Sequence, residues 1–169
     1  MTLFNWPSRK GGYQLALVFM FVLAPLGARA DDIQFVPLDR ALPLLWATLV
    51  ALDHANDTEN YSVLRDISSP DFQERNSADG LRLTFAQLRE SRIDLQQTLL
   101  MKPEFEIEPQ IRENGLLRMR GSFAISPVAL KFDLLYQKIY GDWRLSGIAV
   151  VTGELNERKI TESWFRKRK

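Results

Sequence analysis

The sequence predicts an α+β fold, with three helices packed on one face of a curved antiparallel sheet of about four strands. Two patterns carry this reading. Apolar residues recur at three-four spacing in three segments between Leu42 and Ser91, then at period two from Phe105 to Val151. Helices gathered ahead of an antiparallel meander pack together on one side of it. A length of 169 residues, 46% apolar and 25% charged, suits one core with short extensions.

Residues 1–30 read as a secretory signal peptide. Arg9 and Lys10 form a basic region, Leu15 to Leu26 an apolar one, and Ala28-Arg29-Ala30 a small-x-small cleavage pattern before Asp31. Cleavage between Ala30 and Asp31 implies a periplasmic or secreted protein. The rival is an uncleaved anchor, but a spanning helix needs about 20 apolar residues, and Pro25 stands near the end of this run. The absence of cysteine excludes disulfides and thiolate metal sites.

Removing residues 1–30 takes three basic groups and no acids, leaving 19 basic against 21 acidic residues. Six of those basic groups lie in residues 155–169, so the body from Asp31 to Glu154 is acidic. Phosphate recognition needs clustered positive charge, so no nucleic-acid partner is expected. The basic tail, residues 154–169, reads as weakly ordered, with an anionic envelope surface as its alternative partner. Membrane contact is therefore expected only through an uncleaved N-terminus or this tail.

Along the body, residues 31–41 form an extended lead-in. Pro43 stands in the first turn of a helix running from Leu42 to Asn56, with Leu45, Trp46, Leu49 and Leu52 on its stripe. Asp57 or Thr58 can cap a short second helix, Tyr61 to Ile67, which Pro70 ends. Phe72 reads as a core plug on an irregular or strand-like piece ending near Asn76. A third helix from Ala78 to Ser91 buries Leu81, Phe85 and Leu88. Ile93 to Leu95 opens a strand-like piece that Met101-Lys102-Pro103 interrupts.

Four strands follow. Phe105, Ile107 and Ile111 alternate with glutamates, and Asn114-Gly115 is a hairpin signal in which both residues accept positive φ. Leu117, Met119, Phe123 and Ile125 continue the apolar face up to the Ser126-Pro127 turn. Leu130, Phe132, Leu134 and Tyr136 lie opposite Lys131, Asp133 and Gln137, and Gly141-Asp142 supplies a tight turn. The last strand sets Trp143, Leu145, Gly147, Ala149 and Val151 on one side and Ile148 and Val150 on the other. Being apolar on both faces, its far end reads as central and covered rather than as an edge.

Over residues 42–153 these patterns resemble the NTF2-like (cystatin-like, cone-shaped α+β) superfamily, in particular its small exported bacterial members. The carriers are LPLLWATLVALDHAND, NYSVLRDISSPDFQERN and FDLLYQKIYGDWRLSGIAV. The resemblance rests on element order and implies a pocket between the helices and the concave sheet face. Its implied lining comprises Trp46, Leu49, Asp53, Tyr61, Phe85, Phe132, Leu134, Tyr136 and Trp143. Members range from isomerases with a carboxylate base to silent binding modules, and some pair through the sheet into homodimers.

Residue by residue, no catalytic motif carries over. Asp133 reads as a cross-strand partner of Arg118 or Arg120, and Asp53 as a capping or solvated group. His54 is the sole histidine, and without a second one or any Cys no metal site is expected. No Gly-rich phosphate loop or nucleophile elbow occurs, and no cofactor is expected. The expectation is thus a non-enzymatic exported module that binds a small apolar molecule or an envelope protein. The alternatives are an isomerase- or hydrolase-like enzyme and a membrane-anchored assembly component.

Overall fold

The computed structural model describes residues 33–155. The expected signal peptide and nearly all of the basic tail lie outside these residues. The fold is α+β, with helices leading into a five-stranded antiparallel sheet. Strand β1 is Gln34–Phe35, followed by helices α1 (Leu38–Thr58), α2 (Ser62–Asp66), α3 (Pro70–Arg75), α4 (Ala78–Thr84) and α5 (Ala86–Glu90), then a 3₁₀ segment, Leu95–Leu100. Strands β2 (Glu104–Ile111), β3 (Leu117–Ile125), β4 (Val128–Ile139) and β5 (Asp142–Glu154) complete it in sequential order, β1-β2-β3-β4-β5.

The helical half departs from expectation where short-range polar chemistry outweighs apolar period. Helix α1 starts at Leu38, not Leu42, because the carbonyl of Pro37 accepts from the amides of Arg40 and Ala41 at 3.0 and 3.1 Å. Pro43 therefore lies inside the helix, where it cannot donate to the preceding turn. The fully buried Ala41 and Leu45 on either side offset that loss. The helix also runs through Asp57 and Thr58, so neither caps α2. It ends at Glu59 (φ 52°), and Asn60 Oδ1 accepts from the Ser62 amide at 3.1 Å instead.

Phe72 sits on a helix, α3, rather than on a strand-like piece: Ser69 is its N-cap and Pro70 takes the first position, where a missing N–H costs nothing. The third expected helix divides into α4 and α5 at Phe85 (φ −95°, ψ 10°), which keeps Leu81, Phe85 and Leu88 buried. Ile93 to Leu95 opens no strand. Asp94 accepts from the Gln96 amide at 2.9 Å and starts the 3₁₀ segment.

The sheet has five strands rather than about four, because the lead-in pairs with β2 through Gln34↔Ile111 and Phe35↔Gln110. At Asn114-Gly115 only Gly115 has positive φ, 75°. The Asn114 side chain accepts from the Leu116 amide at 3.2 Å. The last turn lies one residue earlier than expected: Ile139 pairs with Asp142, and Tyr140 (φ 49°) and Gly141 (φ 99°) form the primed turn.

A register shift between Leu135 and Tyr136 inserts an extra residue into β5, and it reverses the facing of every residue beyond it. Leu145 and Val150 are both buried, whereas Val151 is exposed. The apolar run that reads as a covered central strand is the sheet's edge strand seen through this shift. The core lies between the helices and the face carrying Leu117, Met119, Phe123, Leu130, Phe132, Leu134 and Tyr136. Gly121 is on that face too, where a Cβ would collide with the Glu104 carbonyl. Its absence lets β2 approach closely enough for Phe105 to meet Phe132 edge-on at 6.0 Å.

Candidate functional site

Six of the nine sequence candidates lie in this core. Leu49, Tyr61, Phe85, Phe132, Leu134 and Tyr136 are all at most 3% exposed. Phe132 packs on Phe123 at 5.6 Å between ring centroids, and Tyr61 stacks on Phe85 at 5.9 Å and 6°. Trp46 is half-buried, and its Nε1 has no hydrogen-bond partner among the described residues. Trp143 packs at the core margin, with Lys138 Nζ 5.8 Å above its ring.

Tyr136 joins β4 to α1. Its hydroxyl lies 3.0 Å from the Leu44 carbonyl and 2.8 Å from Thr48 Oγ1. A carbonyl only accepts, so the phenolic proton goes to Leu44 and Thr48 donates to Tyr136. Burial pushes the Tyr136 pKa well above its ordinary value, against a smaller opposing effect of the Thr48 hydrogen bond.

Asp133 pairs with Arg118 on the outer sheet face, Nε to Oδ1 at 2.9 Å with a second bond from Nη2. Arg120 stands 3.9 Å away and bonds Glu106 more closely, at 3.1 Å. His54 is exposed on α1. Beside the Arg118–Asp133 pair, the hairpin loop and β3–β5 form a shallow groove of about 470 Å³ floored by Leu135, Gly147 and Ala149.

Asp53 belongs to a different place. Although 5% exposed, its carboxylate accepts from the Leu95 amide at 3.0 Å and from Gln96 Nε2 at 2.8 Å, fastening the 3₁₀ segment to α1. Asp53→Asn turns one acceptor into a donor facing a donor. It is expected to cost about 1–3 kcal/mol in urea denaturation, and an unchanged midpoint would show that the segment docks without this carboxylate.

Asp53 also lines a polar cleft of about 360 Å³ between α1, α5 and the 3₁₀ segment, together with Asn56, Asp57, Arg89, Arg92 and Asp94. Behind it runs a directed chain of hydrogen bonds. Arg89 Nη1 donates to the Tyr61 hydroxyl at 3.0 Å, and that hydroxyl donates to Asn56 Oδ1 at 2.6 Å. Burial, above all, raises the Tyr61 pKa, while the hydrogen bond and charge of Arg89 oppose it.

Sequence patterns miss this cleft because Asn56 and Asp57 resemble a helix break, Arg89 resembles a solvated helix position, and Arg92 lies beyond the end of the expected helix. Only the docking of α5 and the 3₁₀ segment on the end of α1 brings them together. Comparison of the chain with protein-family models, with curated proteins and with solved structures finds no match.

Proposed function

We propose that the chain is an exported, non-enzymatic module of NTF2-like type that binds an envelope protein across the outer face of its sheet. The observation that carries this reading is the filled interior. The side chains that would line a cone pocket instead pack against one another, and a small apolar ligand would have to displace them. Asp53, the acid among the pocket candidates, faces the polar cleft with both oxygens engaged rather than standing opposite a tyrosine in an apolar chamber. The outer face offers the Leu135–Ala149 groove, with a charge pair at its side for orienting a partner.

Native mass spectrometry of the protein recovered from the envelope fraction is expected to give the bare polypeptide beginning at Asp31. A photo-crosslinker at Ala149 is expected to give a discrete protein adduct that one at Glu90, on α5, does not. A retained apolar molecule would overturn the reading in favour of ligand binding, and an absence of adducts at Ala149 would overturn the outer face as the partner's site.

A further inference from the structure

The cleft at the end of α1 is independent of the sheet face, and its donors and acceptors are sorted in space. Arginine has no acceptor, so the Tyr61 hydroxyl must receive the Arg89 hydrogen bond and spend its own proton on Asn56 Oδ1. That fixes the orientation of the Asn56 amide. Its NH₂ group has no partner among the described residues, although the residue is nine-tenths buried and lines the cleft.

Among the described residues Arg89 Nη2 has only Glu59, at 3.9 Å, and the side chain of Arg92, a residue in the left-handed region at φ 52°, makes no hydrogen bond or ion pair. On the acceptor side, among the described residues the Asp57 carboxylate accepts no hydrogen bond and the Asp94 carboxylate uses only Oδ1. The cleft thus offers uncommitted donors from Asn56, Arg89 and Arg92 beside uncommitted carboxylate oxygens from Asp57 and Asp94. At about 360 Å³ it is near the small end of ligand cavities, about 300–1,000 Å³. No group of three His, Asp or Glu side chains among the described residues could hold a metal ion, which argues against a cation as the sole occupant.

From this sorting we infer that the cleft binds a small zwitterion of the α-amino-acid class. The ligand's carboxylate lies against Asn56 and the arginines, and its ammonium group against Asp57 and Asp94. A carboxylate recognises amide and guanidinium donors, an ammonium group recognises carboxylate oxygens, and the two charges of an amino acid are close enough to meet both sets.

The test is a titration of the protein with the standard L-α-amino acids, followed by amide NMR shifts and calorimetry. At least one is expected to saturate, with shifts centred on Asn56, Arg92 and Gln96. Its N-acetyl derivative and its amide, each lacking one charge, should bind at least about tenfold more weakly, the loss of one charged hydrogen-bonding group. Asn56→Asp keeps the oxygen that serves Tyr61 and replaces the donor, so it should weaken binding at least about tenfold. If that variant fails to fold, Arg92→Gln on the exposed loop serves with the same expectation. No saturable amino acid, equal binding of either singly charged derivative, or undiminished binding by the folded variant would overturn the inference. None of these outcomes depends on adducts at Ala149.

Discussion

Phe132→Ala is expected to lower the unfolding free energy by about 3–5 kcal/mol, the range for truncating a buried aromatic ring that the surroundings cannot collapse to replace. Phe132 is 2% exposed, meets Phe105 and Phe123, and faces Val150 across β5. Its neighbours come from β2, β3 and β5, hydrogen-bonded into one sheet with β4, so the void cannot close without moving strands. The measurement is urea denaturation of the variant beside the milder Phe132→Leu.

The size of the loss decides a functional question as well. In an interior that already contains a ligand chamber, truncation would remove little more than the transfer term of the ring, about 1.5–3 kcal/mol. A loss within that range or smaller would restore the small-ligand reading. A loss above it supports a solid core whose binding is done elsewhere.

How much of this could be read from residues alone depended on the range of the forces involved. The strand face of Leu130, Phe132, Leu134 and Tyr136 was legible because a period of two is fixed by the strand itself, and each of these residues is buried. So was a cross-strand arginine partner for Asp133, Arg118 or Arg120, since opposed and diagonal residues of neighbouring strands lie within reach; Arg120 is the opposed residue, and the diagonal Arg118 makes the bonds. The register shift beside Leu135 was not legible: one inserted residue leaves no compositional mark, yet it carries Val151 from one face to the other.

Helix boundaries failed for a related reason. Pro37, Asn60 and Asp94 each decide a start through one or two hydrogen bonds, which apolar spacing does not report. The cleft lay furthest from view. Asn56 and Arg92 are 36 positions apart, and nothing local says that they share a wall until Asp53 has fastened the 3₁₀ segment to α1.

Tyr136→Phe is expected to destabilise the protein at neutral pH and to relieve it of an alkaline weakness. At pH 7 the change deletes the donor to Leu44 and the acceptor for Thr48, a loss of about 1–2 kcal/mol. Above pH 10 this deficit shrinks, and beyond about pH 11 the sign of the effect changes. The folded state holds the Tyr136 phenol in its neutral form, with a pKa raised by burial above the unfolded value. The unfolded chain therefore releases this proton first as pH rises.

Stability from this group is fully present below the unfolded value near 10. It falls by about 1.4 kcal/mol for each pH unit above that, until the folded group also titrates. Tyr61 shifts in the same direction and remains in the variant, so both proteins weaken in alkali, but the wild type weakens more steeply. The two stability curves, from urea midpoints between pH 7 and pH 12, should converge near pH 11 and then cross. Parallel curves would mean that water reaches the Tyr136 hydroxyl. In that case the space between α1 and β4 is open, and the functional site belongs in the interior rather than on the sheet's outer face.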